Sequence, residues 1–361
     1  MNPYYPRLAT LCLLLLLPLL ISPRPLSAAG STAGQVQPQV SATDQGLLRM
    51  SDNFFILYDP STTMDRPYRD TGLNRIAAQR RILTASNATL PELGWQVGLY
   101  PHWKGGLWLH GSPQAFKPYY PLKRYQQSAL AAAIAELPIT PQGPPMLQAG
   151  LMKLEHLLGL GGRTEIFIFT DGKASTFPEL ELPPLEQARK LATRFDLCFT
   201  VIDSSSDPEG RELVEALGAV NSCSQVMAFD TVYDHPEHLF GKLFMNTTSA
   251  QFSNLLFDFD RAEIRPQEEE VLARLGSFLE HHPQSYAVLS GFTDNIGTEA
   301  YNIRLSKRRA ERVRSYLLNR FQLKPERILL YWYGYAEPVA SNSSTAGRAL
   351  NRRVTISLRS N

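Results

Sequence analysis

Short apolar runs alternate with helical periodicities through the first two thirds of this 361-residue chain, and that alternation restricts the fold more than any other feature. The runs are NFFILYD (53–59), WQVGLY (95–100), TEIFIFT (164–170), LCFTVID (197–203) and SQVMAF (224–229). Helical patterns lie between them at 73–88, 123–136, 146–158, 185–195 and 208–217. Strands buried on both faces read as continuous apolar runs, and parallel neighbours need a crossover between them. The expected class is α/β, with a doubly wound, mostly parallel sheet covered by helices on both sides. Residues 101–121 break the rhythm and read as a long loop. There Trp103, Trp108, Phe116, Tyr119 and Tyr120 surround the turn signal Gly105-Gly106. Such a segment is either a partner surface or a loop that packs its own aromatics.

The start of the chain reads differently. Arg7 precedes the apolar run LATLCLLLLLPLLI at 8–21, and the small residues Ser27, Ala28 and Ala29 follow. A basic start, a short apolar stretch and small residues describe a secretory signal peptide, residues 1–29. The run is interrupted by Pro18 and is shorter than the ~20 residues that span a bilayer. Residues 30–50, rich in Gly, Ser, Ala, Gln and Pro, read as a flexible leader. The expected location is the periplasm, with no integral membrane insertion. Three cysteines exclude a disulfide-dense scaffold. Cys198 stands at the opening of one expected strand and Cys223 just before the next, and an oxidising compartment favours a bridge between them.

A second unit spans 251–361. Its pattern is strand (LLFDFD), helix (266–282), strand (285–292), helix (299–321) and two further strands, RILLYWYGY and NRRVTISL. This is a β-α-β-α-β-β order. Residues 30–250 carry 18 basic and 22 acidic groups and residues 251–361 carry 16 and 12. The balance over both units is neutral, which argues against nucleic acid as a partner.

On a helical wheel Arg309 falls inside the apolar arc of Leu305, Ala310, Val313, Leu317 and Phe321, and so does Asn302. A buried arginine needs an anion or a carboxylate partner, and Asp294 lies in the loop before the same helix. A structural Asp294–Arg309 salt bridge is one outcome. The stretch Thr293-Asp294-x-x-Gly297, Asn302-x-x-Leu305-Ser306-x-x-Arg309-Ala310 and Asn351-Arg352-Arg353-Val354 resembles the OmpA-like peptidoglycan-associated domain. That resemblance implies that Asp294 and Arg309 hold the diaminopimelate of a peptidoglycan stem peptide. One would take its ammonium and the other its carboxylate. Asn302 would contact the ligand or orient Arg309. Strand alternation favours Arg352 over Arg353 as an additional contact, with Arg353 pointing away.

The first unit, 51–246, resembles a von Willebrand factor A-like domain, a Rossmann-like doubly wound fold. Asp59-Pro60-Ser61-Thr62-Thr63 matches the Asp-x-Ser-x-Ser loop of its metal-ion-dependent adhesion site, and Asp171-Gly172 its Thr-Asp-Gly motif. Asp59, Ser61, Thr63 and Asp171 would hold Mg²⁺, a hard cation that takes oxygen ligands. The remaining threonine ligand has no counterpart, because the turn reads Gly143-Pro144-Pro145 and proline has no hydroxyl. The site is therefore incomplete. The seven histidines show no metal or triad spacing, and His235 and His238 lack a third ligand in sequence.

These features imply a non-enzymatic, periplasmic, cell-wall-binding protein, with peptidoglycan on the second unit and an unidentified envelope protein on the first. The alternatives are a cell-wall-processing enzyme and an accessory subunit of an outer-membrane or envelope complex. An enzyme needs a paired-carboxylate, Cys-His or zinc constellation that the sequence does not display. A porin needs repeated amphipathic strands instead of the strand–helix alternation.

Overall fold

Six strands form the first sheet, with β2 (Asn53–Tyr58) at its centre. The computed structural model describes residues 46–103, 117–175, 182–246 and 252–360. The expected signal peptide therefore lies outside the described residues, as do most of the leader and Gly105, Gly106, Trp108 and Phe116. A short strand β1 (Leu47–Arg49) precedes β2. After β2 come the two-residue ribbon β3 (Pro67–Tyr68) and β4 (Leu73–Asn74), helix α1 (Arg75–Thr89), β5 (Gln96–Pro101), β6 (Tyr120–Arg124), α2 (Gln127–Ala135) and α3 (Leu147–Leu157). Then follow β7 (Thr164–Thr170), α4 (Pro184–Arg194), β8 (Leu197–Asp203), α5 (Pro208–Gly218), β9 (Gln225–Ala228), α6 (Phe229–Asp234) and β10 (Phe244–Asn246).

The sheet order is β6-β5-β2-β7-β8-β9, with every pair parallel except β5–β6. Alternation along β2 sends Phe54, Ile56 and Tyr58 to one face, where α1, α2 and α6 pack. Phe55 and Leu57 go to the other face, against α3, α4 and α5. This is the two-faced burial that continuous apolar runs require.

Two sequence expectations change here. The segment 101–121 is not all loop, because Tyr120 opens β6, an antiparallel edge strand whose ring packs into the core. Pro121 and Lys123 are tolerated there because an edge strand has one unpaired side. Within the span expected as leader to residue 50, Leu47–Arg49 form β1, which pairs antiparallel with β10.

Cys198 is the second residue of β8, Cys223 precedes β9, and these strands are paired neighbours. The two cysteines form a disulfide with Cα atoms 5.4 Å apart. Closing a loop of this length stabilises by about 3 kcal/mol in the chain-entropy model. Urea unfolding with and without reductant should show a loss of that size. An unchanged midpoint would mean that the bond from Asn221 Nδ2 to Leu197 O (2.8 Å) holds the loop unaided.

The C-terminal sheet contains β11 (Leu255–Leu256), β12 (Ser285–Gly291), β13 (Ile328–Trp332) and β14 (Arg353–Ser360) in the order β11-β14-β12-β13. Helices α7 (Glu269–His281) and α8 (Glu299–Phe321) cover one face, and a short α9 (Thr345–Asn351) precedes β14. Helix α9 was not expected, and the first strand is shorter than LLFDFD suggests.

The other face of this sheet is not open to solvent. Tyr286, Val288 and Tyr331 from the sheet, with Phe292 and Tyr333 just beyond its strands, pack against Met245 of β10 and Met50, which follows β1. Trp332 Nε1 donates to Ser222 O (2.9 Å), Tyr333 Oη to Lys242 O (3.1 Å) and Arg359 Nη2 to Phe244 O (3.0 Å). Beside this junction Lys242 and Glu165 are buried as an ion pair at 3.0 Å. Lys242 Nζ also donates to Cys223 O (2.7 Å), and Thr200 Oγ1 donates to Glu165 Oε1 (2.6 Å).

Candidate functional site

The first turn of α8 fixes the C-terminal site. Thr298 caps it by accepting a hydrogen bond from Tyr301 N (3.3 Å). Gly297, at φ +100°, takes a backbone conformation closed to most side chains, and this folds the 293–297 loop back over the helix start. Thr293, Asp294, Gly297, Asn302, Arg309 and Arg352 line one cavity of about 170 Å³. Tyr301 and Asp260 also line it and hydrogen-bond to each other at its edge.

Of the two outcomes open from the sequence, the structural Asp294–Arg309 salt bridge is not formed. Asp294 does not meet Arg309. Its Oδ2 accepts from Arg352 Nη1 (3.0 Å) and its Oδ1 from Ile296 N (3.1 Å). Arg309 is fully buried, and its guanidinium donates to three backbone carbonyls: Arg261 O (2.9 Å), Phe292 O (2.9 Å) and Asp258 O (3.1 Å). Those bonds use three of its five N–H groups. Burial first, then the nearby Arg352, lower its pKa to about 10, while Asp294 acts in the opposite sense. Asn302 Nδ2 donates to Ile296 O (3.0 Å) and so braces the loop that carries Asp294. Thr293 Oγ1 is buried without a hydrogen-bond partner.

Arg353 does point to the opposite face from Arg352, but that face is covered, so its side chain is buried. Its guanidinium lies 3.9 Å from the centroid of the Phe292 ring and donates to Glu337 O (3.0 Å).

The first sheet presents a second cluster at the C-terminal ends of β2, β5 and β7. Connections leave β2 and β7 toward opposite sides of the sheet, which opens a crevice where α/β folds bind ligands. Asp59 follows β2 and Asp171 follows β7, both buried. Gly172, at φ +77°, lies so close to α5 that a Cβ there would meet Gly210 O at 2.0 Å. Asp59 Oδ1 accepts from Ser61 N (3.0 Å), while its Oδ2 is buried without a hydrogen-bond partner. Ser61 Oγ and Thr63 Oγ1 share a hydrogen bond (2.9 Å).

Desolvation raises Asp59 to about 6 and raises Asp171 too, with the Asp59 charge as the second cause for Asp171. Two mutually repelling carboxylates with hydroxyls beside them are a donor set that fits a hard cation. Sequence reasoning missed His102, whose Nδ1 is 3.7 Å from Asp59 Oδ1. Burial lowers its pKa to about 3, so the imidazole is neutral, and neither ring nitrogen has a hydrogen-bond partner. Its position directly after β5 was the available signal.

Residues 256–352 match the model of the OmpA family. Outer membrane porin F of Pseudomonas aeruginosa is 39% identical over 98 residues, 27% of this chain and 28% of that protein. Peptidoglycan-binding protein ArfA of Mycobacterium bovis is 38% identical over 102 residues, 28% of this chain and 31% of that protein. The chain thus spans under a third of either relative. The crystal structure of the peptidoglycan-associated lipoprotein from Burkholderia pseudomallei is 31% identical, covering 29% of this chain and 89% of that one, with a TM-score of 0.29. From β11 to the residue before β14, this chain carries an OmpA-like domain.

Proposed function

We propose that this is a non-enzymatic envelope protein that binds peptidoglycan through diaminopimelate in the cavity beside α8. The observation that carries the reading is the convergence of the Arg309 and Arg352 guanidinium groups and the Asp294 carboxylate in about 170 Å³, with the Asp260 carboxylate held by Tyr301 in the same lining. The free end of diaminopimelate bears an ammonium and a carboxylate on one carbon. Its carboxylate would meet Arg309 and Arg352, and its ammonium would meet Asp294. Peptidoglycan binding by a relative that is 38% identical over this region supports the assignment.

The N-terminal unit, 51–246, is in this reading a von Willebrand factor A-like domain that receives an envelope protein. The single antiparallel strand β6 at the edge of the sheet and the Asp59–Thr63 and Asp171 loops at its C-terminal rim support it. Asp59, Ser61, Thr63 and Asp171 would hold Mg²⁺ at that rim. Pro145 supplies no oxygen from its side chain, so the ion is expected to bind weakly. A periplasmic, wall-attached location goes with the function. Among the described residues no helix is long and apolar enough to cross a membrane.

The test is co-sedimentation of the full chain with purified sacculi, with free diaminopimelate as competitor. Wild type should pellet and be released by the competitor. Asp294→Ala should bind about tenfold or more weakly, since losing one member of a buried charge set costs ~2–5 kcal/mol. Wild type that remains in the supernatant would reject the reading.

A further inference from the structure

The segment after α6 turns through Pro236 and runs into the domain junction. His235, Glu237 and His238 each bring one ligand atom to a spot where all three lie within 4.8 Å of one another. Glu237 Oε1 is 3.4 Å from His235 Nδ1 and 3.6 Å from His238 Nε2. These separations exceed those of normal N–H···O hydrogen bonds. They do match neighbouring ligands around a tetrahedral ion, which stand ~3.3 Å apart when each bond is ~2.0–2.1 Å.

A second observation points the same way. Glu237 Oε1, the oxygen that faces both imidazoles, is buried without any hydrogen-bond partner. A buried acceptor left unpaired costs free energy that a bound cation would recover.

We propose that His235, Glu237 and His238 form a zinc site that clips the α6–β10 segment against the C-terminal sheet. Two imidazoles and one carboxylate suit zinc better than Mg²⁺, which prefers oxygen throughout, and a water completes the fourth position. The two rings are 14° from parallel with centroids 5.0 Å apart. Binding therefore turns the His235 ring, the more exposed of the two. The clip reaches the other domain directly, because the His238 ring packs on Tyr286 (5.0 Å) and Tyr331 Oη donates to His238 O (3.3 Å).

The experiment uses the full chain, freed of metal with a chelator and titrated with zinc chloride by calorimetry, with thermal melts alongside. Wild type should take up one zinc at this site and melt at a higher temperature with zinc present. His235→Ala and Glu237→Gln should each bind that zinc at least about a hundredfold more weakly, beyond what loss of a mere supporting residue does. Their melting point should not respond to zinc. Asp59→Ala should retain this zinc, which separates the clip from the rim of the first sheet. Should one variant fail to fold, the other carries the test. A wild type that takes up no zinc, or folded variants that bind it as tightly as wild type, would overturn the proposal.

Discussion

Lys242→Ala is expected to destabilise the protein by about 3–5 kcal/mol, the range for removing one partner of a buried ion pair. The ammonium stands against Glu165 at 3.0 Å, and both side chains are almost wholly shielded from water. Removing it strands a carboxylate whose pKa burial already raises, and it also orphans Cys223 O. Replacing both partners by apolar residues of similar volume leaves no buried charge. The double variant Glu165→Leu/Lys242→Met should therefore regain most of the loss. Urea unfolding of the two variants provides the comparison. A loss below about 1 kcal/mol in Lys242→Ala would mean that water reaches the pair and screens it.

Arg309→Ala is the second large effect, and the structure changes its meaning. A guanidinium that only waited for a ligand could be removed without harm to the fold. Arg309 also joins Asp258 O, Arg261 O and Phe292 O, tying the β11–α7 connection to the end of β12. Hydrogen bonds from a charged donor contribute ~1.5–3 kcal/mol each, and carbonyls left bare in the interior add to the deficit. The substitution should cost about 3–5 kcal/mol of stability in addition to abolishing sacculus binding. Arg308→Ala, one position along and exposed, should alter neither quantity. Binding loss is thus best assigned with Asp294 variants. A stable Arg309→Ala protein would show that solvent or a neighbouring donor satisfies the three carbonyls.

How far the sequence could be read depended on the range of the interaction. Helix α8 was legible to the residue, because Thr298 and Glu299 mark its start and its apolar arc runs unbroken to Phe321. Strands β7 and β8 were equally plain as dense apolar runs ended by Asp171-Gly172 and by Asp203. Strand β6 was hidden because Pro121 and clustered aromatics imitate a loop, and α9 because it has only seven residues.

The site residues were legible as a set but not as pairs. Asp294 and Arg352 are 58 positions apart, Lys242 and Glu165 are 77, and periodicity says nothing about partners at that distance. Glu237 escaped notice beside its histidines because a helical reading points residues 237 and 238 in different directions. The short turn through Pro236 brings them together.

The covered face of the C-terminal sheet has a mechanical consequence. Proteins that hold the wall through a slack tether let their cargo wander within a radius set by chain length. Here Trp332, Tyr333 and Arg359 fasten the C-terminal module to its neighbour by hydrogen bonds across a packed apolar layer. The 247–251 segment is therefore not the sole route by which tension passes from one module to the other. A pull between the wall and the rim of the first sheet would be shared across this junction, and the disulfide beside Ser222 would resist peeling at its margin. The molecule would behave as a strut with a set length and heading, keeping whatever sits on that rim at a constant stand-off from the wall.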